Sequence, residues 1–193
     1  MHRIVFFGSA LIVSAMPLCA QPSPDKGAPA KVTVIHAGAL IDGVSPVPRR
    51  NQAVVVRGNR IESVGDWLAA KVPEGATVID LSQSTVLPGL IDAHTHILLD
   101  PVREDYDTQL LKDSVPFRAA RATALAGRFL EQGFTTIRDV ETEGAGYADV
   151  GVKRAIDEGY VAGPRMFVST RAISSTGGYG LNGFAPETDV PEP

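Results

Sequence analysis

Two histidines, His94 and His96, are the residues whose type and spacing best fit chemistry at a metal ion. They lie two positions apart in the mostly apolar residues 90–98, which we interpret as a strand. Side chains two positions apart on a strand project from the same face, so both imidazoles are expected to converge while Thr95 points away. Neutral imidazole binds divalent transition metals such as zinc. By itself such a pair is more often a half-exposed surface feature, so its surroundings decide the interpretation.

The residues after Pro88 and Gly89 alternate between strand-like and helix-like stretches. The pattern predicts strands over residues 90–98, 134–140 and 165–172, with helices over 114–130 and 149–158 between them. Alternation of this kind is typical of parallel βαβ units. The two histidines then lie at the C-terminal end of the first strand. In (β/α)₈ barrels that end of a strand carries the catalytic groups.

Residues 31–87 have the sequence texture of a small antiparallel β domain. Short β-branched runs predict strands over residues 32–35, 53–57, 60–64, 77–81 and 85–87. Gly58 and Asn59 form a two-residue link of the kind that joins a hairpin, and the residues around Trp67 predict a single helical turn.

The N-terminal 30 residues predict export of the protein. Residues 1–20 resemble a signal peptide, with Arg3 as the firm charge, an apolar stretch over 4–16 and Ala20 before the cleavage point. That apolar stretch is shorter than the roughly 20 residues that span a bilayer, so we expect no stable membrane span after cleavage. Residues 21–30 predict a flexible linker. The single cysteine, Cys19, would leave with the signal peptide, so the mature chain is expected to hold no disulfide. We expect a secreted or periplasmic protein.

The charge pattern argues against nucleic acid as a partner. The formal net charge is −4, and the charges are dispersed without a basic patch that could follow a phosphate backbone.

The residues around the histidine pair carry a family resemblance. Residues 88–96 read Pro-Gly-Leu-Ile-Asp-Ala-His-Thr-His, which resembles the first barrel strand of the amidohydrolase superfamily. Residues 133–139 and 163–180 resemble the imidazolonepropionase-like branch, which includes Xaa-Pro dipeptidases. The resemblance covers residues 31 to about 184. One departure is Tyr179, where many relatives have histidine.

The resemblance implies an α/β fold: the first three strands of a (β/α)₈ TIM barrel, preceded by the small antiparallel β domain. Residues 31–87 would be the N-terminal part of a composite β domain, and residues 88–193 part of the barrel. It also implies a site with one or two divalent metal ions, of which His94 and His96 bind one. Zinc is the expected metal. In such enzymes a lysine, further histidines and an aspartate from later strands complete the site. None of these can be placed here, so we expect an N-terminal fragment that is poorly soluble and inactive alone.

The function that the resemblance implies is hydrolysis of a C–N bond in a small-molecule amide, by a metal-activated hydroxide. Dipeptide-like and N-acyl amino acid substrates are the first expectation. A cyclic amide or imide hydrolase of the same superfamily is the alternative within this fold. A metal-binding relative without catalytic activity is the alternative from another class of protein. The oligomeric state is not indicated by the sequence.

Three further residues are candidates for a role at the site. Asp92 lies two positions before His94 and is expected either to support a metal ligand by a hydrogen bond or to make a structural one. Arg171 and Tyr179 flank the loop after the third predicted strand, where either side chain could meet a substrate carboxylate.

Other polar residues are expected to have structural or solvent-exposed roles. We expect Arg138 and Asp139 to form a loop anchor or adjacent ion pair rather than a substrate contact. We expect Glu141 and Glu143 to lie on a solvated loop, and His36 to be a structural histidine of the β domain.

Overall fold

The computed structural model describes residues 30–100, 102, 105–173 and 175. The predicted signal peptide, nearly all of the linker and Tyr179 lie outside these described residues. The described chain forms two compact units, the first of residues 30–39 with Arg50–Ser84 and the second of Leu40–Arg49 with residues from Thr85 onward. Within the described part of the chain, no helix has the length and apolar character needed to cross a membrane.

A four-stranded sheet in the order β3-β2-β1-β4 dominates the first unit. Its strands are β1 (Val32–Leu40), β2 (Arg49–Arg57), β3 (Arg60–Asp66) and β4 (Thr77–Val86), and a 3₁₀ turn covers Trp67–Ala69. β2 and β3 pair antiparallel, with Arg57 opposite Arg60, which confirms the predicted hairpin. Gly58 in its turn has a φ of 61°, a conformation that glycine adopts without strain.

The prediction of two strands around residues 82–84 is wrong, because β4 runs without interruption. Its Ser-Gln-Ser sequence suggests a turn, but pairing within the sheet keeps the backbone extended. Gly38 on β1 makes this possible, since a Cβ there would lie 2.0 Å from the backbone oxygen of Ser82. A close approach of two backbones therefore overrides local propensity.

His36 is a structural histidine of the first unit, as the sequence predicts. Its ring stacks on Trp67 with centroids 4.0 Å apart. Its Nε2 lies 2.8 Å from Oδ1 of Asn51, and its Nδ1 lies 3.6 Å from Oδ1 of Asp80. Beside the ring lies the small core of this unit, which consists of Val34, Ala53 and Val55 with Val32, Trp67, Ala70 and Ala76 packed against them.

The second unit contains a three-stranded parallel sheet in the order β5-β6-β7, which confirms the predicted βαβ pattern. The strands are β5 (Leu90–Thr95), β6 (Phe134–Asp139) and β7 (Arg165–Val168), and the helices are α1 (Tyr106–Leu111), α2 (Val115–Glu131) and α3 (Ala148–Asp157). The strands end earlier than predicted, and α1 was not predicted at all. This short helix is capped by Asp105, whose side chain accepts a hydrogen bond from the amide of Thr108.

Helix α2 begins and ends close to where the sequence predicts. The Ser114 side chain accepts a hydrogen bond from the amide of Phe117, and Gly133 follows the helix with a φ of 89°. The helix turns Ala122 and Ala126 into the core, and their small side chains allow close packing over the sheet. This core consists of Ile97, Leu98, Ala122, Ala126, Ile137, Ala145, Val152 and Met166.

Candidate metal centre

A bulge at the end of β5 positions the two histidines. Asp92 pairs with Ile137 and Thr95 pairs with Asp139, so three residue steps on β5 oppose two on β6. Within the bulge, Oδ1 of Asp92 accepts a hydrogen bond from the amide of His94 at 3.1 Å. Strict strand alternation therefore does not set the direction of the His94 side chain. Asp92 contacts the backbone of His94, which fits either of its two expected roles.

The structure brings the rings of His94 and His96 together. Their centroids are 5.4 Å apart and their planes are inclined at 61°. With metal–nitrogen distances of about 2.1 Å and a tetrahedral angle, two imidazoles on one zinc ion have ring centres about 5 Å apart. The observed separation fits that requirement closely. His94 is exposed, and the His96 side chain retains 28% of its accessible surface.

Glu141 and Glu143 lie beside His96, and the expectation that they are solvated is wrong. Each keeps only 3% of its accessible surface. Nδ1 of His96 lies 3.2 Å from the backbone oxygen of Glu141 and 3.4 Å from Oε1 of Glu143. The three residues offer ligand atoms that all lie within 4.8 Å of one another. Burial, and next the charge of Glu143, raises the pKa of Glu141.

Arg118 holds the backbone of the loop after β6, residues 140–147, which we call the acidic loop. Its side chain, which is 1% exposed, donates from Nη1 to the backbone oxygen of Glu143 at 2.9 Å and from Nη2 to that of Thr142 at 2.8 Å. Its Nε also donates to the backbone oxygen of Leu98, at 3.3 Å. One guanidinium thus joins the segment after β5 to the loop after β6. No local sequence pattern reveals this, because the contacts join residues twenty or more positions apart.

Asp139 anchors the end of β6 to the segment that follows β5. It has no accessible surface, and its Oδ1 accepts a hydrogen bond from the amide of Ile97 at 2.7 Å. Burial raises the pKa of Asp139 to about 7. The adjacent Arg138 is exposed, and its backbone oxygen accepts a hydrogen bond from the hydroxyl of Thr95 at 2.9 Å. Arg138 and Asp139 were expected to form a loop anchor or an adjacent ion pair, and Asp139 is a loop anchor.

Arg171 lies on the loop that leaves the carboxyl end of β7, and its side chain is exposed. The preceding residue, Thr170, has a φ of 61°, which is strained for a β-branched residue. Two hydrogen bonds hold the backbone of Thr170: its amide donates to Asp149 at 2.9 Å, and its backbone oxygen accepts from the amide of Thr142 at 3.0 Å. The start of the loop is therefore tied to the acidic loop after β6. Tyr179, the other predicted substrate contact, lies outside the described residues.

A cleft of about 640 Å³ adjoins the histidines. One wall includes Asp92 and residues 94–97, with both histidines, and the other includes Leu125 and Phe129 of α2. Its volume lies in the range of small-molecule sites, and its walls are mostly apolar.

Comparison with known proteins identifies the family of the chain. The model of the amidohydrolase family matches residues 85–189. Ochratoxinase of Aspergillus niger is 35% identical over 159 residues, which are 78% of this chain and 30% of that protein. Imidazolonepropionase of Porphyromonas gingivalis is 26% identical over 133 residues, 67% of this chain and 28% of that protein.

A solved structure of a Xaa-Pro dipeptidase with methionine bound in its active site has a similar fold. Its TM-score is 0.65 at 33% identity, and the match covers 77% of this chain and 35% of that one. The chain therefore spans about a third of the length of these relatives. The family model covers more than half of the chain and includes the bulge, both histidines and the acidic loop. The chain belongs to the amidohydrolase family.

Proposed function

We propose that the protein is a metal-dependent hydrolase of C–N bonds. Its proposed substrates are dipeptide-like compounds or N-acyl amino acids. The observation that carries this proposal is the ring separation of His94 and His96, 5.4 Å at the end of the first parallel strand of an amidohydrolase. Because imidazole suits zinc, zinc is the proposed metal, with one or two ions in the whole protein. The similarity to a Xaa-Pro dipeptidase supports the choice of substrate class.

The residues of this chain have distinct tasks in the proposed site. When bound, a divalent ion makes water more acidic and polarises the carbonyl of the substrate. His94 and His96 would hold that ion. Asp92 fixes the bulge that carries His94, and Asp139 fixes the backbone next to His96 by accepting from Ile97. Preorganisation of this kind keeps the two ligands in place without a rearrangement during the reaction.

We propose that Arg171 and Tyr179 contact the carboxylate of the substrate. Arg171 lies near the start of the loop after β7, at the carboxyl edge of the sheet where the histidines also lie. Its guanidinium pairs well with a carboxylate. Replacement by leucine in the whole protein is expected to raise KM for substrates with a free carboxylate and to leave substrates without one unaffected. An equal effect on both kinds of substrate would rule out this contact.

The test of the function is a substrate screen on the whole protein, loaded with zinc. We expect hydrolysis of Xaa-Pro dipeptides or N-acyl amino acids, loss of activity on chelation and recovery on addition of zinc. His96→Ala should abolish turnover, and His36→Ala should not, because His36 belongs to the other unit. A preference for cyclic amides would favour the alternative enzyme, and zinc binding without hydrolysis of any substrate would favour a binding protein.

We also propose that the protein acts after export, in the periplasm or outside the cell. The support is the sequence of residues 1–20, with its charged start, apolar stretch and small residue at position 20. N-terminal sequencing of the protein from a periplasmic fraction is expected to begin at Gln21. Recovery of an uncleaved chain from the cytoplasm would contradict this proposal.

A further inference from the structure

We propose that Glu143 positions His96 by fixing the proton of its imidazole on Nδ1, and that Tyr106 and Arg118 hold Glu143 in place for this task. The inference rests on the proposed role of His96 as a metal ligand. It assigns to the acidic loop after β6 a contribution to metal binding that does not require Glu143 to touch the metal.

The surroundings of Nδ1 decide where the proton of the ring lies. Among the described residues, the polar atoms near Nδ1 are the backbone oxygen of Glu141 at 3.2 Å and Oε1 of Glu143 at 3.4 Å. A carbonyl and a carboxylate oxygen only accept hydrogen bonds, so Nδ1 must be the donor. In the neutral ring the lone pair is then on Nε2, the atom left to bind a metal. A carboxylate at the other nitrogen also makes the ligand more basic and fixes its orientation.

The carboxylate of Glu143 is held from its other side. The hydroxyl of Tyr106, on α1, donates to Oε2 of Glu143 at 2.5 Å. One carboxylate oxygen thus faces Tyr106 and the other faces His96, and the side chain keeps only 4% of its accessible surface. Tyr106, Glu143 and His96 form a continuous chain of polar contacts from helix α1 to the proposed metal ligand.

The backbone of Glu143 shows that this arrangement opposes local preference. Its φ is 52°, a left-handed conformation that costs a side-chain-bearing residue roughly 1 kcal/mol relative to glycine. Arg118 overcomes that preference by donating to the backbone oxygen of Glu143 at 2.9 Å. A loop that needed only this turn would be better served by glycine. The side chain of Glu143 therefore makes contacts that a glycine could not make, and a strained backbone is the cost of having it there.

Direct ligation by the two glutamates is the competing interpretation, because both offer atoms near His96. The contacts separate the two residues. Glu143 uses one oxygen for Tyr106 and the other for His96, whereas Oε1 of Glu141 has no hydrogen-bond partner among the described residues. Glu141 approaches Nδ1 through its backbone, so a change of its side chain leaves that contact intact. Glu141→Gln is therefore the matched control for changes at Glu143.

The experiment measures the tautomer of His96 and the binding of Co²⁺ separately. Nitrogen-15 NMR of the metal-free protein at alkaline pH, where imidazoles are neutral, reports which ring nitrogen carries the proton. The assignment of the His96 signals comes from His96→Ala. Titration with Co²⁺, followed by its visible absorption, then gives the affinity. Both are measured for the wild type, Glu143→Gly, Glu143→Gln and Glu141→Gln, with thermal unfolding as the check on folding.

We expect the wild type to carry the proton of His96 on Nδ1. Glu143→Gly should move part of the population to the other tautomer and weaken Co²⁺ binding about 10- to 100-fold, the range for loss of an outer-shell partner. Its thermal unfolding temperature should not fall, because glycine suits the backbone. Glu143→Gln keeps an acceptor at this position, so it should retain most of the wild-type tautomer and most of the affinity for Co²⁺. Glu141→Gln should keep the wild-type tautomer.

Two results would overturn the inference. One is a Glu143→Gly protein with the wild-type tautomer and affinity. The other is a large loss of affinity in both Glu143 variants with the tautomer unchanged, which would make Glu143 a direct ligand. A wild-type protein that does not bind Co²⁺ would instead contradict the proposed metal site. The tautomers of the metal-free proteins would still decide whether Glu143 positions His96.

Discussion

Arg118 offers a quantitative test of how the site is supported. Its guanidinium donates to three backbone oxygens, those of Leu98, Thr142 and Glu143, at 3.3, 2.8 and 2.9 Å. Replacement by methionine keeps much of the side-chain volume but removes every donor. A buried carbonyl left without its partner costs about 1–3 kcal/mol, and two of these three bonds are short. We therefore expect Arg118→Met to lower the free energy of unfolding by roughly 2–6 kcal/mol.

The assay is chemical and thermal unfolding of Arg118→Met beside a matched control. Arg154→Met removes an arginine from another helix, α3, where its side chain is 77% exposed and pairs with Glu158 four positions on. Such exposed pairs contribute about 0.3–0.5 kcal/mol. At about 2–4 °C per kcal/mol, the buried change should lower the unfolding temperature by roughly 10 °C. An Arg118→Met protein as stable as Arg154→Met would refute the claim that this guanidinium joins the two loops.

Two further predictions concern the β sheet and the buried carboxyl group. Gly38→Ala should destabilise the first unit by several kcal/mol, because the added Cβ would lie 2.0 Å from the backbone oxygen of Ser82. The control is Gly65→Ala in the same sheet, where an added Cβ meets no atom within 4 Å and the change should be nearly neutral. Equal unfolding midpoints for the two variants would contradict this prediction. Asp139 has its pKa raised to about 7 in the folded state, so its carboxyl group stabilises the fold fully below about pH 4 and loses that contribution as the pH rises through 7. In metal-free protein, Asp139→Asn should flatten the fall in stability over this window, and an unchanged pH profile would show that Asp139 does not titrate there.

The sequence is sufficient to predict that the rings of His94 and His96 lie close together, because their spacing and the apolar segment before them are local features. It does not predict the bulge, which places Asp92 in contact with the backbone of His94 and depends on pairing with β6. Nor does it predict that Glu141 and Glu143 are buried. Two glutamates in a glycine-rich loop are typical of solvated surface, and the contacts of Arg118 with the backbone of this loop join residues more than twenty positions apart.

The same distinction applies to the fold. Helix α2 is predicted well because its cap at Ser114 and its stop at Gly133 are adjacent to its ends. Strand β4 is predicted wrongly as two pieces, since its continuity depends on the approach of β1 at Gly38. Helix α1 is missed because six residues are too few to show a helical period.

The most direct test of the central claim is the binding of zinc to single histidine variants. Isothermal titration and metal analysis would compare the wild type with His94→Ala, His96→Ala and the control His36→Ala. The wild type and His36→Ala are expected to bind zinc alike. His94→Ala and His96→Ala should each weaken zinc binding strongly. The loss should exceed the about 10- to 100-fold loss that is typical when an outer-shell partner of a ligand is removed. Zinc bound by His94→Ala and His96→Ala as tightly as by the wild type would contradict the account.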